Sequence, residues 1–318
     1  MTKAEIAEKK KRQPVKEYLK ERIKNIPLTV IMALMAGFFI FSMVYFPVIG
    51  RWRDGLISLV YLLIIPLFYF SEWSLGMRVP VAYTVFLMLF VLFCHLGACF
   101  NFYYLIPRLD DILHAAWGIV FGTVGIILIK SFMGPAKDNK AVIIYVLFGL
   151  GFAMLLSVVW EIWEFCGDSL IPDMDMQQDT IVDSIHSFIL YPDPAHPAPD
   201  NLHTWQVEGI AYTVLFNSAG EEIGRIPNGY LDTGLIDTMM DLIFCFSFVA
   251  VFSIVLAIDW CKGKVIYRFF IPALNSEVEE RKAQRLAKSS TANGATVTEA
   301  EEKVEENTEE EPTENKEV

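Results

Sequence analysis

The sequence predicts an all-α polytopic membrane protein of about six transmembrane helices, with a small extracytoplasmic insertion made of one helix and a β-hairpin. Three observations carry that expectation. The 318 residues are 54% hydrophobic with a mean hydropathy of +0.40, too apolar for an ordinary soluble domain. Six stretches approach the roughly 20 apolar residues that a bilayer crossing needs. Lysine and arginine gather on one side of the topology that those stretches imply.

Residues 1–27 form a basic segment carrying Lys3, Lys9, Lys10, Lys11, Arg12, Lys16, Lys20, Arg22 and Lys24. This leader is too long for a cleavable signal peptide, and no small-x-small site follows the first span. The positive-inside rule places it in the cytoplasm. Five spans are expected within 28–165, near 28–46, 55–71, 79–100, 112–133 and 141–165, and a sixth at 235–258. Both termini are then cytoplasmic. Of the 26 lysines and arginines only Arg51, Arg53, Arg108 and Arg225 fall outside. The location this implies is the cell membrane. Residues 166–234 become an extracytoplasmic acidic loop. Residues 259–318 become an acidic cytoplasmic tail. From Glu277 onward that tail has no aromatic and almost no large aliphatic residue, so disorder is expected.

Within the loop, 178–190 reads as a short amphipathic helix. Asp179, Asp183 and His186 share one face at helical spacing, and Ile181, Val182, Ile185, Phe188 and Ile189 the other. A Pro-rich connector with His196 and His203 follows. IAYTVLF and EIGRIP around NSAGE then predict a β-hairpin. The five cysteines are scattered without a C-x-x-C. Cys94, Cys99 and Cys245 read as small apolar helix residues, and spacing leaves open whether Cys99 and Cys166 pair.

On this topology the acids and histidines converge on the outer side. Asp110, Asp111 and His114 open span four, Glu161 and Glu164 close span five, and Asp237 and Asp241 open span six. Asp110/His114, Glu161/Glu164, Asp179/Asp183/His186 and Asp237/Asp241 each make one helical ridge. Asp179-Thr180-x-x-Asp183 and Asp237-Thr238-x-x-Asp241 repeat one D-T-x-x-D pattern, and both copies are expected to serve one site. Asp110, Asp111 and Asp237 also suit simple N-terminal capping. Glu161 and Glu164 do not, because a helix C-terminus opposes negative charge. Arg108 is the nearest basic residue to serve as a partner. Gly118, Gly122 and Gly125 on one face of span four predict close helix packing, which brings the acidic ends together.

DDILHAAWGIVFG resembles the D-K-x-x-H-F segment of YjdF-type inner-membrane proteins, with a more distant likeness to VanZ-like proteins. WEIWEF resembles the E-x-x-E end of that type's next helix, and GLIDTMMDLIF its D-x-x-D segment. The resemblance spans roughly 80–258. It implies a compact multi-span membrane protein and no defined reaction. Carried over residue by residue, it points to Asp110, His114, Glu161, Glu164, Asp237 and Asp241. Asp111 departs from it, standing where the type has a basic residue.

The expected ligand of this Asp/Glu/His set is a divalent metal cation. Expected partners are the lipid bilayer and a lipid-linked substrate, and no nucleic acid. Three functions stay open: a non-enzymatic cation-binding membrane protein, a metal-dependent enzyme acting on a lipid or lipid-linked substrate, and a cation transporter or channel.

Overall fold

Long apolar stretches fold as helices because a backbone in lipid must satisfy its own hydrogen bonds. The computed structural model describes residues 14–172, 174–187 and 205–284. Six of its helices are long and apolar enough to cross a membrane. In chain order the helices are α1 (Val15–Ile23), α2 (Ile26–Val48), α3 (Trp52–Ser74), α4 (Val81–Phe100), α5 (Phe102–Leu105), α6 (Leu109–Met133), α7 (Asn139–Leu170), α8 (Leu235–Lys262) and α9 (Val265–Phe270). The spans are α2, α3, α4, α6, α7 and α8. Their positions follow the sequence expectation, most with ends extended by a few residues, while α4 begins two residues later than expected.

Two units divide the described residues. One comprises the chain up to residue 88, residues 127–138 and the chain from 263. The other comprises 89–126 and 139–262.

In the first unit α2 packs against α3. Gly55 allows this approach, since a Cβ there would lie 2.6 Å from the Pro47 ring. Helix α1 turns Tyr18 and Arg22 inward onto Glu72 of α3. Strand β1 (Met77–Arg78) pairs antiparallel with β8 (Ala273–Leu274). Beside them the Lys130 ammonium, fully buried, donates to the Pro272 carbonyl at 2.7 Å and sits 2.8 Å from the Glu277 carboxylate. Order therefore extends past the last span to residue 284. A tail starting at 259, and disorder from Glu277, were too early a boundary. The buried lysine holds Glu277, a requirement that local composition does not reveal. Residues 285–318 lie outside the described residues.

In the second unit α7 packs along α8, and both meet the glycine face of α6. A Cβ at Gly149 would lie 2.5 Å from the Gly122 carbonyl oxygen. One at Gly118 would lie 2.6 Å from that of Cys245. These contacts are with backbone, which cannot rotate away, so the glycines set the helix separation. None of the five cysteines forms a disulfide, so Cys99 and Cys166 do not pair.

The described residues between α7 and α8 contain short strands: β2 (Thr180–Val182), β3 (Ile185–Ser187), β4 (Trp205–Val207), β5 (Tyr212–Phe216), β6 (Glu222–Pro227) and β7 (Tyr230–Asp232). The expected hairpin is present as β5 with β6. Asn217 forms its turn, its side-chain carbonyl accepting from the Ala219 and Glu221 amides. The expected helix over 178–190 is not formed within 178–187. That stretch is β2 and β3, paired with β7 and β4 respectively. Val182 and Ile185 suit strands as well as they suit a helical face. The distant partners Tyr230–Asp232 and Trp205–Val207 supply the backbone bonds that decide between the two. His196 and His203 lie outside the described residues.

Candidate cation site

Three ridges meet in the second unit, one from each of α6, α7 and α8. The glycine contacts draw the helices together, and the i, i+3 and i, i+4 spacings then stack the polar residues on the facing sides. Asp110 and His114 come from α6, Glu161 and Glu164 from α7, and Asp241 from α8. His114, Glu161 and Asp241 are 5%, 4% and 1% exposed. Two groups have ligand atoms within 4.8 Å of one another: Asp110 with His114 and Asp241, and Glu161 with Glu164 and Asp241. Asp241 belongs to both.

His114 is the hub. Its Nδ1 lies 3.5 Å from Glu161 Oε1 and 3.7 Å from Asp241 Oδ1, while its Nε2 lies 3.7 Å from Asp110 Oδ1. These separations are too long for hydrogen bonds. His114 Nδ1, both Glu161 oxygens and Asp241 Oδ2 are buried without a hydrogen-bond partner. Thr238 stands beside Glu161 but outside bonding geometry. Among the described residues, no lysine or arginine forms an ion pair with the cluster. Arg108, expected as a partner, is exposed and starts α6 with a left-handed φ of 60°.

A strap covers one edge. Asp168 near the end of α7 accepts the Met176 and Gln177 amides at 2.7 and 2.9 Å. Gln177 donates to Thr238 Oγ1 at 2.7 Å. The Gln178 amide donates to Asp237 Oδ2, and its side chain to Asp110 Oδ2, each at 2.9 Å. Trp160 Nε1 donates to Glu164 Oε1 at 2.8 Å. Sequence reasoning missed Trp160, Asp168, Gln177 and Gln178 as supporting residues. Only the i, i+4 spacing of Trp160 to Glu164 was visible beforehand.

Several expectations change. The two D-T-x-x-D copies, expected to serve one site, lie in different surroundings. Asp241 sits deep in the cluster, whereas Asp237 is half-buried and occupied by the strap. Asp179 and Asp183 are exposed and belong to neither ligand group. They flank strand β2, where a rise of about 3.3 Å per residue carries apart along the chain a pair that one helical turn would have brought together. His186 lies in β3, paired in register with Gln206. Glu161 and Glu164 are also not at a helix end, since α7 continues to Leu170. The helix dipole therefore does not explain their need for a partner. Burial does.

A family model described as predicted membrane protein (DUF2238) matches residues 27–189, just over half of the chain. The match bears out the YjdF-type resemblance and begins well before the region where it was read. It covers Asp110, His114, Glu161 and Glu164 but ends before Asp241. Nothing in it supports the more distant likeness to VanZ-like proteins. No curated protein and no solved structure matches the chain.

Proposed function

We propose, for a chain that belongs to the DUF2238 family of predicted membrane proteins, a cation-binding role: the α6–α7–α8 cluster holds a divalent metal ion near the extracytoplasmic face of the cell membrane. The observation that carries this reading is the environment of His114 Nδ1. Two ligand atoms about 2.1 Å from one metal, at angles of about 110–125°, stand about 3.4–3.7 Å apart. That is the spacing of His114 Nδ1 to Glu161 Oε1 and Asp241 Oδ1. The same atoms, if left to the protein alone, are buried polar groups without partners, which is costly. Asp110 Oδ1 stands 3.7 Å from Nε2, and Asp110, His114 and Asp241 together offer a further set of ligand atoms. Mixed imidazole and carboxylate ligands favour Mn²⁺ or Zn²⁺ over Mg²⁺ or Ca²⁺.

Orientation rests on charge. The helix ends bearing the cluster adjoin the segments with Arg108 and Arg225, whereas Lys130, Lys137, Lys140 and Lys262 mark the opposite ends. The positive-inside rule then puts the cluster outside and both termini in the cytoplasm. The bound ion ties three spans to the strap.

Melting the purified protein in EDTA and then in each cation tests the binding. The expected ion stabilises by about 2.7 kcal/mol at a hundredfold excess over Kd, and Glu161→Gln removes most of that shift. A wild type indifferent to every divalent cation would end the proposal. On a background without native cysteines, Ser218→Cys should react with an impermeant reagent in intact cells and Ser289→Cys should not. The reverse pattern overturns the orientation.

A further inference from the structure

We infer that the site is built for two divalent cations, bridged by the Asp241 carboxylate. This rests on the cation-binding reading above and extends it. One ion among His114 Nδ1, Glu161 Oε1 and Asp241 Oδ1 leaves atoms unused. Glu161 Oε2 and Asp241 Oδ2 are buried and still lack a partner. Both belong to carboxylates that come together with that of Glu164. Glu164 has one oxygen engaged, by Trp160, which fixes its orientation and leaves the other available. This second set of Glu161, Glu164 and Asp241 is all-carboxylate, a composition suited to Mn²⁺ or Mg²⁺.

Charge balance gives an independent argument. The two ligand groups together hold four carboxylates, Asp110, Glu161, Glu164 and Asp241, and one histidine. With the carboxylates ionised and the imidazole neutral, a single divalent ion leaves an excess of two negative charges in a buried pocket. A second ion removes it. Carboxylate bridging holds ions about 3.5–4 Å apart, the separation at which two metals act together on one oxygen-rich ligand such as a phosphate group.

Mn²⁺ titration of the purified full chain, followed by electron paramagnetic resonance and by metal content, tests this. The expected result is two equivalents bound, with an exchange-coupled spectrum appearing as the second enters. Glu164→Gln should retain one equivalent with an uncoupled six-line signal, and Asp241→Asn should lose coupling altogether. A wild type that saturates at one equivalent overturns the second ion and leaves the first intact. Binding of none overturns both. Two coupled ions persisting in Glu164→Gln overturn the assignment of the second site. Because the wild-type stoichiometry decides the main point, a variant that fails to fold does not obscure it.

Discussion

Two buried charged clusters in this chain are built on opposite terms. Around Glu72 every charge has an opposite charge beside it, even at Arg22 Nε, which makes no hydrogen bond. Arg22 Nε lies 2.9 Å from Glu72 Oε2, Tyr18 donates to the same oxygen at 2.5 Å, and the Val79 amide donates to Oε1 at 2.8 Å. Arg78 pairs in turn with Glu21 and lies over the Tyr18 ring. Burial, and then the bond to Glu72, raise the Tyr18 hydroxyl above its ordinary pKa, so it stays a donor. The cluster around His114 has equal burial and no such closure. Its atoms face one another at 3.5–3.7 Å with nothing of opposite charge between them. A buried network that closes on itself is architecture. The cation-binding proposal rests on the one that converges without closing.

The contrast is broken most severely by opening the closed cluster. Glu72→Ala strands Arg22, and in the separate Lys130–Glu277 pair, ending the chain after Leu274 leaves Lys130 with the Pro272 carbonyl but no counter-charge. Each is expected to cost about 3–5 kcal/mol in a detergent melt, because a buried charge is left alone. Ending the chain after residue 284 should cost almost nothing. Equal losses from both truncations would mean that Glu277 is not what holds Lys130.

Gly149→Ala is the next largest, at about 1–3 kcal/mol, since its methyl meets backbone of α6. It should also weaken the metal-induced rise in melting temperature. A variant that loses stability but keeps the full metal shift would uncouple the helix spacing from the site.

The sign reverses in the open cluster. In EDTA, Asp241→Asn should raise stability by about 1 kcal/mol by removing one uncompensated charge, while abolishing the response to metal. A metal-free loss comparable to that of Glu72→Ala would show the two clusters to be alike. Smallest of all is Asp183→Asn, expected within ±0.5 kcal/mol and with the metal shift intact, as for any exposed side chain.

What the sequence made legible follows from locality. Asp110/His114 and Glu161/Glu164 are near neighbours in the chain, and a helix of fixed pitch turns their spacing into a shared face. Gly118, Gly122 and Gly125 forecast close approach by the same arithmetic. The stretch from Asp179 to His186 failed for the complementary reason. Its strands are completed by Tyr230–Asp232 and Trp205–Val207, and hydrogen bonds between distant segments leave no period to read. Asp237 and Asp241 looked equivalent because they share a ridge. One turn of depth separates them, and that difference puts Gln178 on one and none of the strap on the other. Likewise, the acidic composition after residue 259 spoke for disorder, while the lysine that Glu277 answers lies far upstream.

That last pairing also bears on how the protein is made. The carbonyl that accepts the Lys130 hydrogen bond belongs to Pro272, 142 residues further along the chain. At about 5–20 residues per second, translation reaches it on the order of 7–30 seconds after Lys130. For that interval α6 is an incomplete object in the translocon, carrying a cation whose protein partners have not been synthesised. The nascent helix must keep Lys130 hydrated or among lipid headgroups, and its final seating waits until Pro272 and Glu277 have been made. Assembly of this unit is therefore a late event, set by the ribosome's progress as much as by the bilayer.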